Sequence, residues 1–240
     1  MFDVPPASAE PDLVVRRTAR ARRLSITVHP SGRVEVLAPQ RVSDRAVSSF
    51  LSEHASWIRR TRMDFHARYG KTERSLPSSI ELAALEETIA VRYERKSIAS
   101  VRGRRSDGAL VLRGNVDAET ECRKGLKRWL SNVARDRLGS WLQGLAATTG
   151  LSYQRLQVRA QRTCWGSHSS SGTISLNYCL LFLRPELVRY LLIHELSHSR
   201  HMNHSRRFWA LVEHYEPDYR ALDRELGRAW SEIPGWLDLY

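Results

Sequence analysis

Apolar residues recur in short alternating runs near the start of the chain and at helical spacing over much of its second half. Leu24, Ile26 and Val28 alternate with polar positions, His29-Pro30-Ser31-Gly32 has turn chemistry, and Val34 and Val36 resume the alternation. This pattern predicts a β-hairpin. Ser43 then offers a cap for a helix whose Val47, Phe50, Leu51, His54, Trp57 and Ile58 share one face to about residue 68. His54 on that face is expected to pack rather than to bind a ligand. Runs at 88–93, 97–102 and 109–113, broken by Gly103 and Gly108, predict further strands and, with the hairpin, a small antiparallel sheet.

Asp117 is placed to cap a long helix running to about Thr148, with Gly150 to end it. Its stripe of Leu126, Trp129, Leu130, Val133, Leu138, Trp141, Leu142 and Leu145 reads as core. Leu156 and Val158 mark a strand, and Thr163–Gly166 with Gly172–Asn177 a hairpin around the polar loop His168-Ser169-Ser170-Ser171. The strand ending at Asn177 is expected to lie at a sheet edge. Pro185 is suited to open a helix over about 184–202, whose Leu187, Val188, Leu191, Leu192 and Ile193 make it a buried element. Two helices, about 205–215 and 218–230, follow on either side of Pro217. The order predicts an α+β domain over 116–240, a β-rich segment with one helix at 14–115, and a flexible tail at 1–13 containing Pro5, Pro6 and Pro11.

The buried helix carries His194-Glu195-Leu196-Ser197-His198, the H-E-x-x-H spacing of zinc hydrolases. Histidines four apart project from one side of a helix and can reach one ion, and a carboxylate next to the first can deprotonate a water there. Buried groups of this kind are costly unless something ligates them. Catalytic zinc takes three protein ligands, one ion per chain. His204 lies six residues beyond His198, a step of about 600° in a continued helix, so the helix must end between them for His204 to serve. Asn203 is expected to reverse the chain in the left-handed conformation. Glu213, on the next helix, is the second choice of third ligand, and His201, a turn further along the axis, reaches poorly. In this chemistry Glu195 accepts the proton of a zinc-acidified water and passes it to the leaving nitrogen, while the metal polarises the scissile carbonyl. Tyr178, Tyr190 and Tyr215 are alternative oxyanion donors.

These residues, with Trp165-Gly166-Ser167, Gly172-Thr173-Ile174-Ser175-Leu176-Asn177, Pro185, Tyr190, Asn203-His204-Ser205 and Phe208-Trp209, resemble the YgjP-like metallopeptidase family, which is related to the WLM and SprT-like zinc metalloproteases. Arg-rich 16–23, the Gly32 turn, Ala38-Pro39 and Trp57-Ile58 also fit the family pattern. The resemblance extends from about Val14 to about Trp230. It implies a zincin-like core and zinc hydrolase chemistry. The chain departs from the pattern at Cys164, where a basic residue is usual, and at His168, where a cysteine is usual. Trp165, Gly166, Ser167 and Asn177 are the expected substrate-binding positions, for an extended or unstructured polypeptide added at a sheet edge. Trp165 either walls a subsite or packs, and Phe208 and Trp209 are expected beneath the metal.

Cys122, Cys164 and Cys179 lack C-x-x-C spacing, so neither a disulfide framework nor a thiolate zinc site is indicated. With no apolar run of about 18 residues and no signal pattern, the expected address is the cytoplasm, away from membranes. The net charge of +12 is uneven: residues 1–115 hold 21 Lys and Arg against 13 Asp and Glu, the rest 17 against 13. The first reading of this excess is an Arg-rich solvated surface; the other is that Arg16, Arg17, Arg20, Arg22 and Arg23 contact phosphates and bind nucleic acid without sequence preference. Two other functions use the same residues. A nucleotide phosphoanhydride hydrolase, UTP pyrophosphatase-like, is disfavoured by the absence of a phosphate-cradling Gly-rich loop followed by Lys. A non-catalytic zinc module, closed by His201 or His168, would not need Glu195.

Overall fold

The computed structural model describes residues 13–19, 21–28, 33–69, 75–161 and 164–237. The turn at 29–32, Arg20, Thr163 and residues 1–12 of the expected tail lie outside the described residues. The chain divides into two compact units between residues 72 and 73, well before the boundary expected at 115/116. The difference has a structural cause, since the strands at 102–106 and 109–114 pack on the long helix that follows them, within the second unit.

The first unit holds β1 (Leu13–Thr18), β2 (Ser25–Val28), β3 (Val34–Pro39), α1 (Asp44–Glu53) and α2 (Ala55–Tyr69). The expected hairpin is present as the antiparallel pair β2–β3, but β1 adds to β3 in parallel, giving the order β1-β3-β2. Leu13 therefore begins a strand. Alternation puts Val34, Val36 and Ala38 inward, where Val36 and Ala38 meet Val47 and Val34 meets Ile58. Ser43 caps α1 by accepting from the Ala46 amide at 3.3 Å. The single helix expected over 43–68 is broken at His54, whose backbone amide and ring Nδ1 both meet the Phe50 carbonyl, at 3.2 and 2.8 Å.

The second unit opens with β4 (Ser79–Leu82), β5 (Glu87–Arg95), β6 (Arg102–Ser106) and β7 (Ala109–Gly114). Their order is β4-β5-β7-β6, with β5 and β7 parallel, so the sheet is mixed and not antiparallel as expected. The chain leaves β5, crosses to the outer edge and returns through a two-residue turn at Asp107 and Gly108, both at positive φ of 50° and 74°. An Asp-Gly pair tolerates that backbone, which matches the twist of a hairpin. One face of the sheet lies on α3 (Glu119–Thr149), whose Leu126, Leu130, Leu138 and Leu142 are fully buried and whose end is the left-handed Gly150.

A second small sheet follows from β8 (Arg155–Arg159), β9 (Gly166–His168) and β10 (Thr173–Asn177), in the order β8-β10-β9. The strand ending at Asn177 is thus central, paired on both sides, and β8 and β9 are the edges. A 3-10 turn at Tyr178–Phe182 leads into α4 (Pro185–Ser197), then α5 (Arg206–Tyr215) and α6 (Tyr219–Leu226). Leu187, Val188, Leu192, Ile193 and Leu196 of α4 are fully buried, each contributing about 1.5–3 kcal/mol relative to exposure. That burial anchors the helix whose last turn carries the histidines. The architecture is α+β, and among the described residues no helix is long and apolar enough to cross a membrane.

Candidate metal centre

His194 and His198 stand one turn apart where α4 ends, with His198 as its C-cap. The backbone then folds on itself, the amides of Arg200 and His201 both pointing to the Ser197 carbonyl at 3.0 and 3.2 Å. These turns bring His204 back over α4. Asn203 is not among the described residues at positive φ, so the reversal is made without the left-handed residue expected there. Ser205 starts α5 directly after His204 by capping Phe208.

One ligand atom from each of His194, His198 and His204 lies within 4.8 Å of the others. The Nε2 atoms of His194 and His204 are 3.0 Å apart. Two nitrogens bound about 2.0–2.1 Å from a tetrahedral ion sit about 3.3 Å apart, so the pair is within a few tenths of an ångström of a coordinating arrangement. The other ring nitrogens are held from outside. His198 Nδ1 is 3.0 Å from the His201 carbonyl, which makes it the donor and leaves Nε2 for the cluster. His194 Nδ1 is 3.4 Å from the Tyr190 hydroxyl, which itself donates to Asp223 Oδ1 at 2.7 Å. Burial, and then His198 and His204, push the His194 pKa down to about 3, and burial likewise lowers His198. Both therefore offer neutral imidazole, the form that ligates a cation. Phe208 lies beneath all three rings at 4.5–5.0 Å between centroids, and Trp209 stacks on His204 at 5.5 Å.

Glu195 is 3% exposed, and its Oε2 has no hydrogen-bond partner. Burial raises its pKa to about 8. A buried carboxylate with an orphaned oxygen beside three imidazoles is what a bound cation and its water would satisfy. The residues present fit a divalent metal with three nitrogen ligands, and among the described residues no fourth His, Cys, Asp or Glu joins them.

A family model for the YgjP-like metallopeptidase domain matches residues 22–229. The chain belongs to the YgjP-like family. No curated protein matches it. Among solved structures it is similar to the metallopeptidase zymogen of Pyrococcus abyssi abylysin, at 27% identity over 38% of this chain and 94% of that chain, with a TM-score of 0.35. A YgjP-like metallopeptidase domain is a metal-dependent peptidase domain, and the three-histidine group gives this one a place for its metal.

The remaining expected residues take distinct places in the YgjP-like domain. Trp165 is buried, stacks on Trp230 at 3.9 Å and donates Nε1 to the Leu226 carbonyl, so it packs and does not wall an open subsite. Asn177 is fully buried. Its amide donates to the carbonyls of Gln161 and Cys164, and its Oδ1 accepts from the Cys179 amide, which occupies it in holding the loops around β10. Ser167 is exposed on the edge strand β9. Gly166 lies against Glu195: a Cβ there would stand 2.8 Å from Oε1. The glycine thus makes room for the carboxylate, a role its place in Trp-Gly-Ser did not reveal. His168 Nδ1 reaches the Glu195 carbonyl at 2.6 Å and ties β9 to α4. Glu213 is half-exposed, 3.9 Å from Arg220 and outside the cluster. Tyr215 donates to the Thr149 carbonyl, Tyr190 to Asp223, and Tyr178 is buried with its hydroxyl unpartnered. Asp223, 29 residues from His194, was not anticipated, and no spacing could have linked them.

Proposed function

We propose that this YgjP-like protein is a zinc metallopeptidase in which His194, His198 and His204 hold one Zn2+ and Glu195 is the general base. The observation that carries the reading is the buried Glu195 carboxylate, with one oxygen unpartnered, on the same helical turn as two of three converging imidazoles. Three nitrogen donors with a free position suit catalytic zinc. When bound, zinc polarises the scissile carbonyl and acidifies a water from a pKa of about 15.7 towards about 7. Glu195 takes the water's proton and delivers it to the departing amine. The His201 carbonyl holds His198, and the Asp223–Tyr190 pair holds His194, in the tautomer that leaves Nε2 free.

The substrate is an extended or unstructured polypeptide. Support for this comes from β9, a three-residue edge strand with one side unpaired among the described residues, joined to α4 through His168. A peptide can continue such a sheet through main-chain hydrogen bonds. This moves the docking strand from the one ending at Asn177 to the one carrying Ser167. Three unpaired cysteines support the reducing cytoplasm as its compartment.

Casein cleavage with chelator and metal add-back tests the function. Activity should vanish when the protein is stripped to below about 0.1 zinc per chain and return near one equivalent, the stoichiometry of a three-ligand site. Cleavage that survives complete stripping would refute a metal-dependent reaction.

Gly166→Ala tests the placement of the base. The methyl must displace Oε1, and a misplacement of about 1 Å in a catalytic group costs on the order of 10²-fold. Expected is a loss of that size in kcat/KM with zinc content and thermal midpoint close to wild type. Activity within threefold of wild type would mean that the carboxylate's position against β9 is unimportant.

A further inference from the structure

Strands β5 and β7 are paired on both edges, and α3 packs on one face of their sheet. Ile89, Val91, Leu110 and Leu112 are the buried positions of that inner face. The opposite face is different. Register places Arg92 and Arg104 opposite Val111, and Glu94 and Arg102 opposite Arg113. Residues directly opposite across strands share a face, so four exposed arginines and one carboxylate gather there. Glu94 is already bound to Arg113, at 2.6 and 3.4 Å. Arg92, Arg102 and Arg104 make no ion pair among the described residues. Strands are spaced about 4.8 Å and alternate residues about 6.7 Å, so the Cα atoms of these three arginines lie within about 10–12 Å of one another.

Two of the arginines nearer the N-terminus are in a different state. Arg16 pairs with Glu35 at 3.2 Å, and Arg17 pairs with Asp44 and the Val42 carbonyl. Their charge is partly used inside the first unit, and the strand carrying them is part of its sheet.

We propose that the outer face of β5, β7 and β6 docks the phosphate backbone of a nucleic-acid duplex, through Arg92, Arg102 and Arg104. The planar guanidinium fork matches phosphate oxygens, and a closely spaced row of like charges is stabilised by a regular polyanion. An acidic polypeptide fits less well, because peptides gain affinity at free sheet edges and in apolar pockets, whereas these groups lie across the face of three strands. A single strand gains affinity by stacking bases on exposed aromatic rings, and the outward positions of β5, β7 and β6, in the alternation of Arg92, Val111 and Arg104, include no aromatic residue. Duplex therefore binds at least as well as single strand, without sequence preference. The site is separate from the metal centre and does not depend on the peptidase reading.

The test uses the full chain and fluorescence anisotropy with a labelled DNA duplex between about 50 and 200 mM salt. The variant R92Q/R102Q/R104Q is compared with R135Q/R155Q/R224Q, which removes the same charge from scattered exposed positions of the second unit. Three phosphate contacts carry a slope of about −2.7 in log K against log salt, so the face variant should flatten the dependence by about that amount and bind at least about tenfold more weakly. The scattered variant should keep most of the slope, and R92K/R102K/R104K should recover it, which separates charge from any loss of fold. Equal losses in the two glutamine variants, or an unaltered slope in the face variant, would overturn the proposal. So would tighter binding of polyglutamate than of duplex at matched charge, which would make the partner an acidic protein.

Discussion

Glu195→Gln should keep the metal and the fold and lose at least about 10²-fold in hydrolysis of casein, the low end of what a general base contributes. The substitution is nearly isosteric, so the fit against Gly166 is retained. It also removes the only ionisable group on that side chain, and burial already disfavours the charge, raising the carboxyl pKa to about 8. A neutral amide in that place should not lower stability. What it cannot do is accept a proton. Zinc content, thermal midpoint and kcat/KM measured on the same preparation separate the outcomes. Wild-type metal with lost turnover is expected, and near-full turnover would sink the mechanism. If neither form cuts any peptide while the wild type hydrolyses UTP, the reaction belongs to phosphoanhydrides and not to peptides.

The metal helix was legible because its signals are local and agree with one another. Pro185 suits a first turn, the run from Leu187 to Ile193 is too apolar to be a surface helix, and a spacing of four places two imidazoles together whatever surrounds them. His204 could be reached by geometry, since a six-residue step demands that the helix stop. The means of stopping could not, because consecutive turns bonded to the Leu196 and Ser197 carbonyls achieve the reversal with ordinary backbone. Strand existence was readable from alternation, but strand order was not. The β6–β7 turn was written in Asp107-Gly108, yet nothing in Leu13–Thr18 says that it pairs in parallel with β3, or in Thr173–Asn177 that β8 will cover its free side. Those pairings are long-range contacts chosen by the whole core. The same limit hid the reason for Gly166 and the link from Asp223 to His194, both of which depend on elements that meet only in the folded chain.

His204→Ala should lose most bound zinc, whereas Glu213→Ala should retain it. The wild type is expected to carry about one zinc per chain, as three converging ligands imply. His204 is exposed and contributes little to the apolar core, so its removal should leave the fold intact. Its Nε2, however, lies 3.0 Å from that of His194 and completes the three-nitrogen group. Loss of a partner that merely orients a ligand costs about 10–100-fold in metal affinity, and loss of a ligand itself must exceed that. Glu213 is turned towards Arg220 and has no part in the cluster, so its carboxylate can go without consequence for the metal. Elemental analysis after dialysis against a weak chelator reads the difference directly. Retained zinc in His204→Ala together with lost zinc in Glu213→Ala would mean that α5 shifts on metal binding to bring the carboxylate in. The third ligand would then be the glutamate.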